Sequence, residues 1–191
     1  MTAGGAGRVI AGTARGIRLE APGATTRPLA DRVKETLFAI LEPDLPGAVV
    51  LDLFAGSGAA GIEALSRGAA RAFFVERDKT AATVIAENLV RTHLGGERAR
   101  IVRAETIAWL LGPGAAAAGP FDIVIADPPY AETGLLAAAL DALGPHLAPG
   151  ARVVAKHFWR DTPPQPGLLA SERERRFGET SLTFYRRAED R

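Results

Sequence analysis

The sequence predicts an α/β fold: a mostly parallel sheet with helices on both faces. Three observations predict it. Short apolar runs alternate with stretches of three-to-four-residue apolar spacing from residue 49 to residue 155, so strands and helices take turns along the chain. The first run leads straight into a glycine-rich loop carrying Gly56, Gly58 and Gly61. The tail offers two strand-like segments, Leu168–Arg176 and Ser181–Arg186, around Phe177-Gly-Glu-Thr180, which reads as an antiparallel hairpin.

The elements follow in order. Arg8–Leu19 has short apolar pieces on either side of a Gly12–Gly16 turn and predicts a small β-hairpin. Pro28 is placed to open an amphipathic helix, with Leu29, Val33, Leu37, Ile40 and Leu41 on one stripe and Pro43 and Pro46 ending it. Val49–Phe54 is a continuous apolar run broken by one acid, as expected of a strand covered on both faces. A helix over Gly61–Arg67 then closes on Gly68, and Ala72–Val75 is the next strand. Asp78 is placed to cap a helix over Lys79–His93. A weaker strand, Arg100–Arg103, and a short helix, Thr106–Leu111, precede the alanine-rich 112–120 stretch, where glycines and prolines predict a surface loop. Phe121–Ala126 is a strand, Gly134–Leu147 a helix, Pro149-Gly150 a turn and Arg152–Ala155 a further strand. At 191 residues and 47% hydrophobic, the chain fits one such domain, residues 28–191, behind a small extension, residues 1–27.

Composition narrows the chemistry. The chain has no cysteine, which excludes thiolate metal sites and cysteine nucleophiles, and its three histidines lie far apart in sequence, so we expect no metal. Neither a signal-peptide pattern nor an apolar run near the roughly 20 residues of a membrane span is present, so we expect a cytoplasmic protein. The net charge is only +1, yet Arg8, Arg15, Arg18, Arg27, Arg32 and Lys34 face just Glu20 and Asp31 within residues 1–34, a local excess of +4. Such a region can hold phosphates on a neutral chain, because surface fields act over about one Debye length, ~10 Å. We expect these six residues to contact RNA.

Gly56, Gly58 and Gly61 keep the Gly-x-Gly-x-x-Gly spacing of dinucleotide-binding loops, and Glu76 follows Gly56 by twenty residues at a strand end, where a carboxylate can accept both ribose hydroxyls. Asp52 lies inside the strand that feeds the loop. Its charge would repel a pyrophosphate but suits the ammonium or sulfonium of S-adenosylmethionine, which favours that cofactor over NAD. Phe54, Gly56, Ser57 and Gly58 form the loop that would approach it, and Glu105, after the third strand, is placed for the adenine edge. Behind the strand Phe121–Ala126 come Asp127, Pro128, Pro129 and Tyr130: a carboxylate, a rigid turn with an available carbonyl and an aromatic face. That set suits a planar amine such as a nucleobase amine. Asp127 and the Pro128 carbonyl would accept its N–H groups and Tyr130 would stack on the base.

Taken together, these motifs resemble class I amino methyltransferases. Arg8-Val-Ile-Ala-Gly12, Arg27-Pro-Leu-Ala-Asp-Arg-Val-Lys34, Leu51-Asp-Leu-Phe-Ala-Gly-Ser-Gly58 and Phe177-Gly-Glu-Thr-Ser-Leu-Thr-Phe-Tyr185 are similar to the RsmD family, the bacterial 16S rRNA guanine-N2 methyltransferases, nearly from end to end. The resemblance implies a seven-stranded Rossmann-like class I methyltransferase fold and S-adenosylmethionine as donor. It further implies one guanine of 16S rRNA as acceptor, met in the small ribosomal subunit or an assembly intermediate. By position, Asp52, Phe54, Gly56, Ser57, Gly58 and Glu76 would line the cofactor, and Asp127 to Tyr130 would hold the guanine. The chain departs from the family at Glu105, where Asp is commoner, and in the alanine-rich insertion at 115–118. Lys156-His157 falls where the family varies and reads as structural or solvent-facing. Other amines, DNA or RNA adenine N6 or a protein glutamine, remain alternatives, because Asp127 to Tyr130 alone would hold adenine N6 equally well. An NAD-dependent oxidoreductase is the more remote alternative. We expect a monomer.

Overall fold

The computed structural model describes residues 5–23, 30–129, 132 and 134–187. Nine strands and six α-helices occur among them, in two sheets. Strands β1 (Gly5–Arg8) and β2 (Arg18–Glu20) pair antiparallel as the expected hairpin. Helix α1 (Asp31–Leu41) follows, and its expected start at Pro28 lies outside the described residues. Then come β3 (Val49–Leu53), α2 (Ala59–Ser66), β4 (Arg71–Glu76), α3 (Lys79–Arg91) and β5 (Ala99–Arg103). The chain continues through α4 (Thr106–Leu111), α5 (Pro113–Ala118), β6 (Phe121–Ala126), α6 (Leu135–Leu143), β7 (Leu147–Phe158), β8 (Leu169–Phe177) and β9 (Thr180–Arg187).

The large sheet has seven strands in the order β5-β4-β3-β6-β7-β9-β8. Strands β3 to β7 run parallel, and β9 and β8 close the edge antiparallel. The strand order reverses between β3 and β6, the place where open α/β sheets receive ligands beyond the carboxyl ends of their strands.

The period of two along each strand divides the core. Val50, Phe74, Ile123, Ile125, Val154, Leu182 and Phe184 pack with the hairpin and α1 to α3, whereas Leu51, Leu53, Val75, Val124, Val153 and Tyr185 pack with α4 to α6. Each wholly buried aliphatic or Phe side chain stabilises the fold by about 1.5–3 kcal/mol, which explains why the apolar runs of β3 and β6 tolerate so few polar residues.

Four sequence readings are corrected. The 112–120 stretch is not simply a loop, because Pro113–Ala118 forms α5 with Ala115 buried. Proline at the first helical position loses no hydrogen bond there, and the alanines that follow are strong helix formers. Helix α6 ends at Leu143 and continues as a 3-10 turn, Gly144–His146, not as α-helix to Leu147. Strand β7 starts at Leu147, so the expected Pro149-Gly150 turn lies inside it, and it runs on beyond Ala155 to Phe158, where β9 pairs with it residue by residue from Arg152 onward.

The N-terminal segment is tied into the main core. Ile10 and Ala11 donate their N–H groups to the two Glu63 carboxylate oxygens on α2 at 2.7 and 3.0 Å, and Ala14 donates to Ser66 Oγ at 3.0 Å. Gly12 is required where the segment crosses α2: a Cβ there would lie 1.8 Å from the Ser66 carbonyl oxygen. Asn88 on α3 accepts from Glu20 N–H at 2.9 Å and donates back to its carbonyl at 3.0 Å.

Candidate active site

A cavity of about 970 Å³ opens at the switch in strand order. Its floor is the carboxyl ends of β3, β4, β6 and β7. From β3 the chain enters the loop through Phe54, a non-glycine residue at φ 62°, and Gly56 at φ 55°. Left-handed backbone at Phe54 is a strained conformation held by its surroundings. Ala55 N–H bonds the Val75 carbonyl at 3.1 Å, and Gly56 N–H bonds Glu76 Oε2 at 2.8 Å. The other Glu76 oxygen accepts from Asp78 N–H at 2.8 Å, so this carboxylate fixes the glycine loop as well as lining the cavity.

Asp52 is 3% exposed, and its Oδ2 accepts the Gly61 N–H at 2.9 Å. Burial pushes its carboxyl well above the usual carboxylate range, and the Asp127 and Glu76 carboxylates push the same way. Gly61 lets α2 approach β4, since a Cβ there would sit 2.3 Å from the Phe74 ring. Gly58 does not line the cavity; it caps α2 at φ 76°, with its Cβ position against Ile85. Asp52, Phe54, Gly56, Ser57, Glu76 and Glu105 all line it. Glu105 also caps α4, accepting the Ala108 N–H at 2.8 Å.

Asp127, Pro128 and Pro129 follow β6 and line the same cavity. Tyr130 lies outside the described residues. The Asp127 carboxylate is a quarter exposed, into the cavity, and burial raises its pKa while Lys156 opposes that rise. Lys156 Nζ bonds both Asp127 oxygens, at 2.6 and 2.9 Å. Lys156 is thus not solvent-facing: it lines the cavity and its ion pair brings it to the candidate site, where the sequence did not place it. Register carries the signal: Ala126 on β6 pairs with Ala155 on β7, so the next residue on each strand meets beyond the sheet. His157 is structural as expected, buried and 2.9 Å from Thr183 Oγ1. Across the lip, Arg77 pairs with Glu132 in the loop after Pro129.

Six carboxylates and two cations line the cavity among the described residues: Asp52, Glu76, Asp78, Glu105, Asp127 and Glu179 against Arg77 and Lys156. That balance favours a cationic ligand and opposes a pyrophosphate. The buried Asp52 and the strained, glycine-bearing loop beside it fit the methionine end of S-adenosylmethionine, and Glu76 fits its ribose.

The expected RNA contacts lie elsewhere. Arg8, Arg15, Arg18 and Arg32 are exposed and do not line the cavity, and Arg8 pairs with Asp31 at 3.5 Å. Arg27 lies outside the described residues. Lys34 is wholly buried on the inner stripe of α1, its Nζ bonded to the Arg8 carbonyl, so it cannot meet a phosphate there. The stripe of Val33, Leu37, Phe38 and Leu41 places position 34 inward, a fact that a charge count does not register.

A family model described as Conserved hypothetical protein 95 matches residues 7–186. The chain belongs to this family, the RsmD family. It is 36% identical over 184 residues to ribosomal RNA small subunit methyltransferase D of Escherichia coli K12, covering 94% of this chain and 89% of that protein. It is also 36% identical to YlbH of Bacillus subtilis, covering 94% and 98%. The solved structure of yhhF from Escherichia coli matches with a TM-score of 0.82 at 36% identity, over 96% of this chain and 98% of that one. RsmD membership agrees with the seven-stranded, mostly parallel sheet and its antiparallel closing edge.

Proposed function

We propose that the protein transfers a methyl group from S-adenosylmethionine to the exocyclic N2 of one guanine in 16S rRNA, acting as a monomer in the cytoplasm on the small subunit or an assembly intermediate. The observation that carries this reading is the convergence, in one cavity, of buried Asp52 with its glycine loop and of Asp127-Pro128. A relative sharing 36% of its residues and named as a ribosomal RNA small subunit methyltransferase supports small-subunit rRNA as the substrate.

The sulfonium of the cofactor supplies an electrophilic methyl group. Asp52 and the glycine loop hold that end against the floor of the cavity. The Asp127 carboxylate and the Pro128 carbonyl accept the two N–H bonds of the amine, which turns its lone pair towards the donor. Tyr130 is assigned the stacking role on the base drawn out of its helix. Positioning of this kind contributes roughly 7–11 kcal/mol to an in-line displacement. As the N–C bond formed, the methyl–sulfur bond would break with its electron pair left on a neutral thioether, and the amine would lose one proton to Asp127, the base within reach. Lys156, which holds both Asp127 oxygens, opposes the rise that burial imposes on the pKa of that base and yields one oxygen to the substrate.

The test is incorporation of labelled methyl groups into naked 16S rRNA, isolated small subunits and their assembly intermediates. Transfer to one guanine in a small-subunit particle is expected. Transfer only to DNA adenine or to a protein glutamine replaces the acceptor, and a cavity that binds NAD and not S-adenosylmethionine overturns the reading.

A further inference from the structure

Strand β7 leaves the cavity at Phe158, which lines it together with Glu179 and Thr180, and turns at once into Trp159 and Arg160. The Trp159 backbone N–H bonds the Glu179 carbonyl at 3.0 Å, which holds the main chain here beside the cavity-lining residues Phe158 and Glu179. Two guanidinium groups stack on it. Arg176 of β8 lies with its Cζ 3.6 Å from the ring centroid, and Arg160 lies at 4.8 Å. Arg176 Nε also donates to the Gly178 carbonyl at 2.9 Å, so its plane is set from two sides.

Both arginines are exposed, and among the described residues neither has a carboxylate within 4.0 Å; the same holds for Arg173 and Arg175 on β8. Nearby Arg186, by contrast, is paired to Glu172 at 2.8 Å. An arginine stacked on an indole presents its N–H edge outward in a fixed plane, and such forks match phosphate oxygens. Strands β7, β9 and β8 lie on one side of the switch point, while β1 and β2 pack on α2 and α3 towards β4 and β5 on the other.

We propose that Trp159, Arg160 and Arg176 form a second RNA contact, which grips phosphates of the strand flanking the target base on the side of the cavity opposite the hairpin arginines Arg15 and Arg18. It rests on the reading of the substrate as RNA. The RNA then spans the cavity mouth, held at both flanks, and the base between them is presented to Asp127.

The experiment measures binding of end-labelled naked 16S rRNA across a salt series, with KM and kcat for methyl transfer, for Arg160→Ala/Arg176→Ala and for Trp159→Ala. The double variant is expected to bind at least tenfold more weakly, with a log–log salt slope shallower by about 1.4, from about 0.7 per single-strand phosphate contact. KM for RNA rises, kcat changes little, and S-adenosylmethionine affinity by calorimetry and the melting temperature stay at the wild-type values. Trp159→Ala, which keeps both charges but removes their platform, weakens binding as well. An unchanged slope and KM in the double variant overturn the proposal, as does a loss seen with assembled subunits but not with naked RNA, which would mark a protein contact. If the double variant melts early, Arg160→Lys/Arg176→Lys decides: a reduced affinity in a stably folded protein supports the fixed guanidinium planes, and wild-type affinity overturns them. Wild-type protein that binds RNA through this edge yet transfers no methyl group counts against the proposed reaction and not against the contact.

Discussion

Asp52 sits enclosed beneath the glycine loop, with one N–H from Gly61 set against the loss of solvent. Its folded pKa lies above the unfolded value of about 3.9, so the folded chain holds this proton more tightly. Stability therefore falls as pH rises through the window from the unfolded to the raised folded value, and the ionised group weakens the fold above it. Asp52→Asn removes the charge and keeps an acceptor for Gly61. Its melting temperature at about pH 7.5 should exceed wild type by roughly 2–4 °C for each kcal/mol recovered, and its S-adenosylmethionine affinity should fall. A melting temperature at or below wild type contradicts the assignment. Lys156 acts on the other carboxyl in the opposite sense, holding Asp127 below where burial alone would place it. Lys156→Met should shift the acid limb of the kcat/KM profile to higher pH, because Asp127 must lose its proton before it can accept from the amine. An unmoved acid limb would separate Lys156 from that role.

At the scale of elements, the contact between α2 and β4 sets the loop. Gly61 supplies the N–H for Asp52 and the space for Phe74, and the space depends on the absence of a side chain. In Gly61→Ala the new methyl must displace a fully buried ring, an overpacking expected to cost about 1–3 kcal/mol. Thermal melting should register it as a clear drop, together with weaker cofactor binding; a wild-type melting curve would show that α2 can move away freely. The glycine spacing, the Asp78 cap and the apolar period of the strands were legible because each follows from local backbone and packing rules. Helix α5 was not legible, since Pro113 and Gly119 bracket the alanines and do not interrupt them. Neither was Lys156, whose partner is 29 residues away and is found only once the parallel register of β6 and β7 is known.

For the molecule as a whole, a near-neutral chain divides its charge by location: an acidic cavity at the switch point, exposed arginines on the hairpin and a stacked arginine pair at the far rim. The sequence pointed to four of the cavity's acids, Asp52, Glu76, Glu105 and Asp127, and to the hairpin arginines, because motif spacing and local charge counts are local features. It misjudged Lys34, since a charge count ignores which face of α1 a side chain takes. The arginine pair needs β7, β8 and the turn before β9 to meet, and no local pattern reports that. An acidic cavity suits a cationic donor, while flanking arginines suit a polyanion crossing its mouth. The most direct test of that division of labour is nucleoside mass spectrometry of 16S rRNA from cells that lack the protein and are complemented with wild type or with Asp127→Ala. N2-methylguanosine at one position with wild type, and none with a variant that still binds S-adenosylmethionine, is predicted. Methylation restored by Asp127→Ala, or wild-type methylation at adenine in place of guanine, would contradict it.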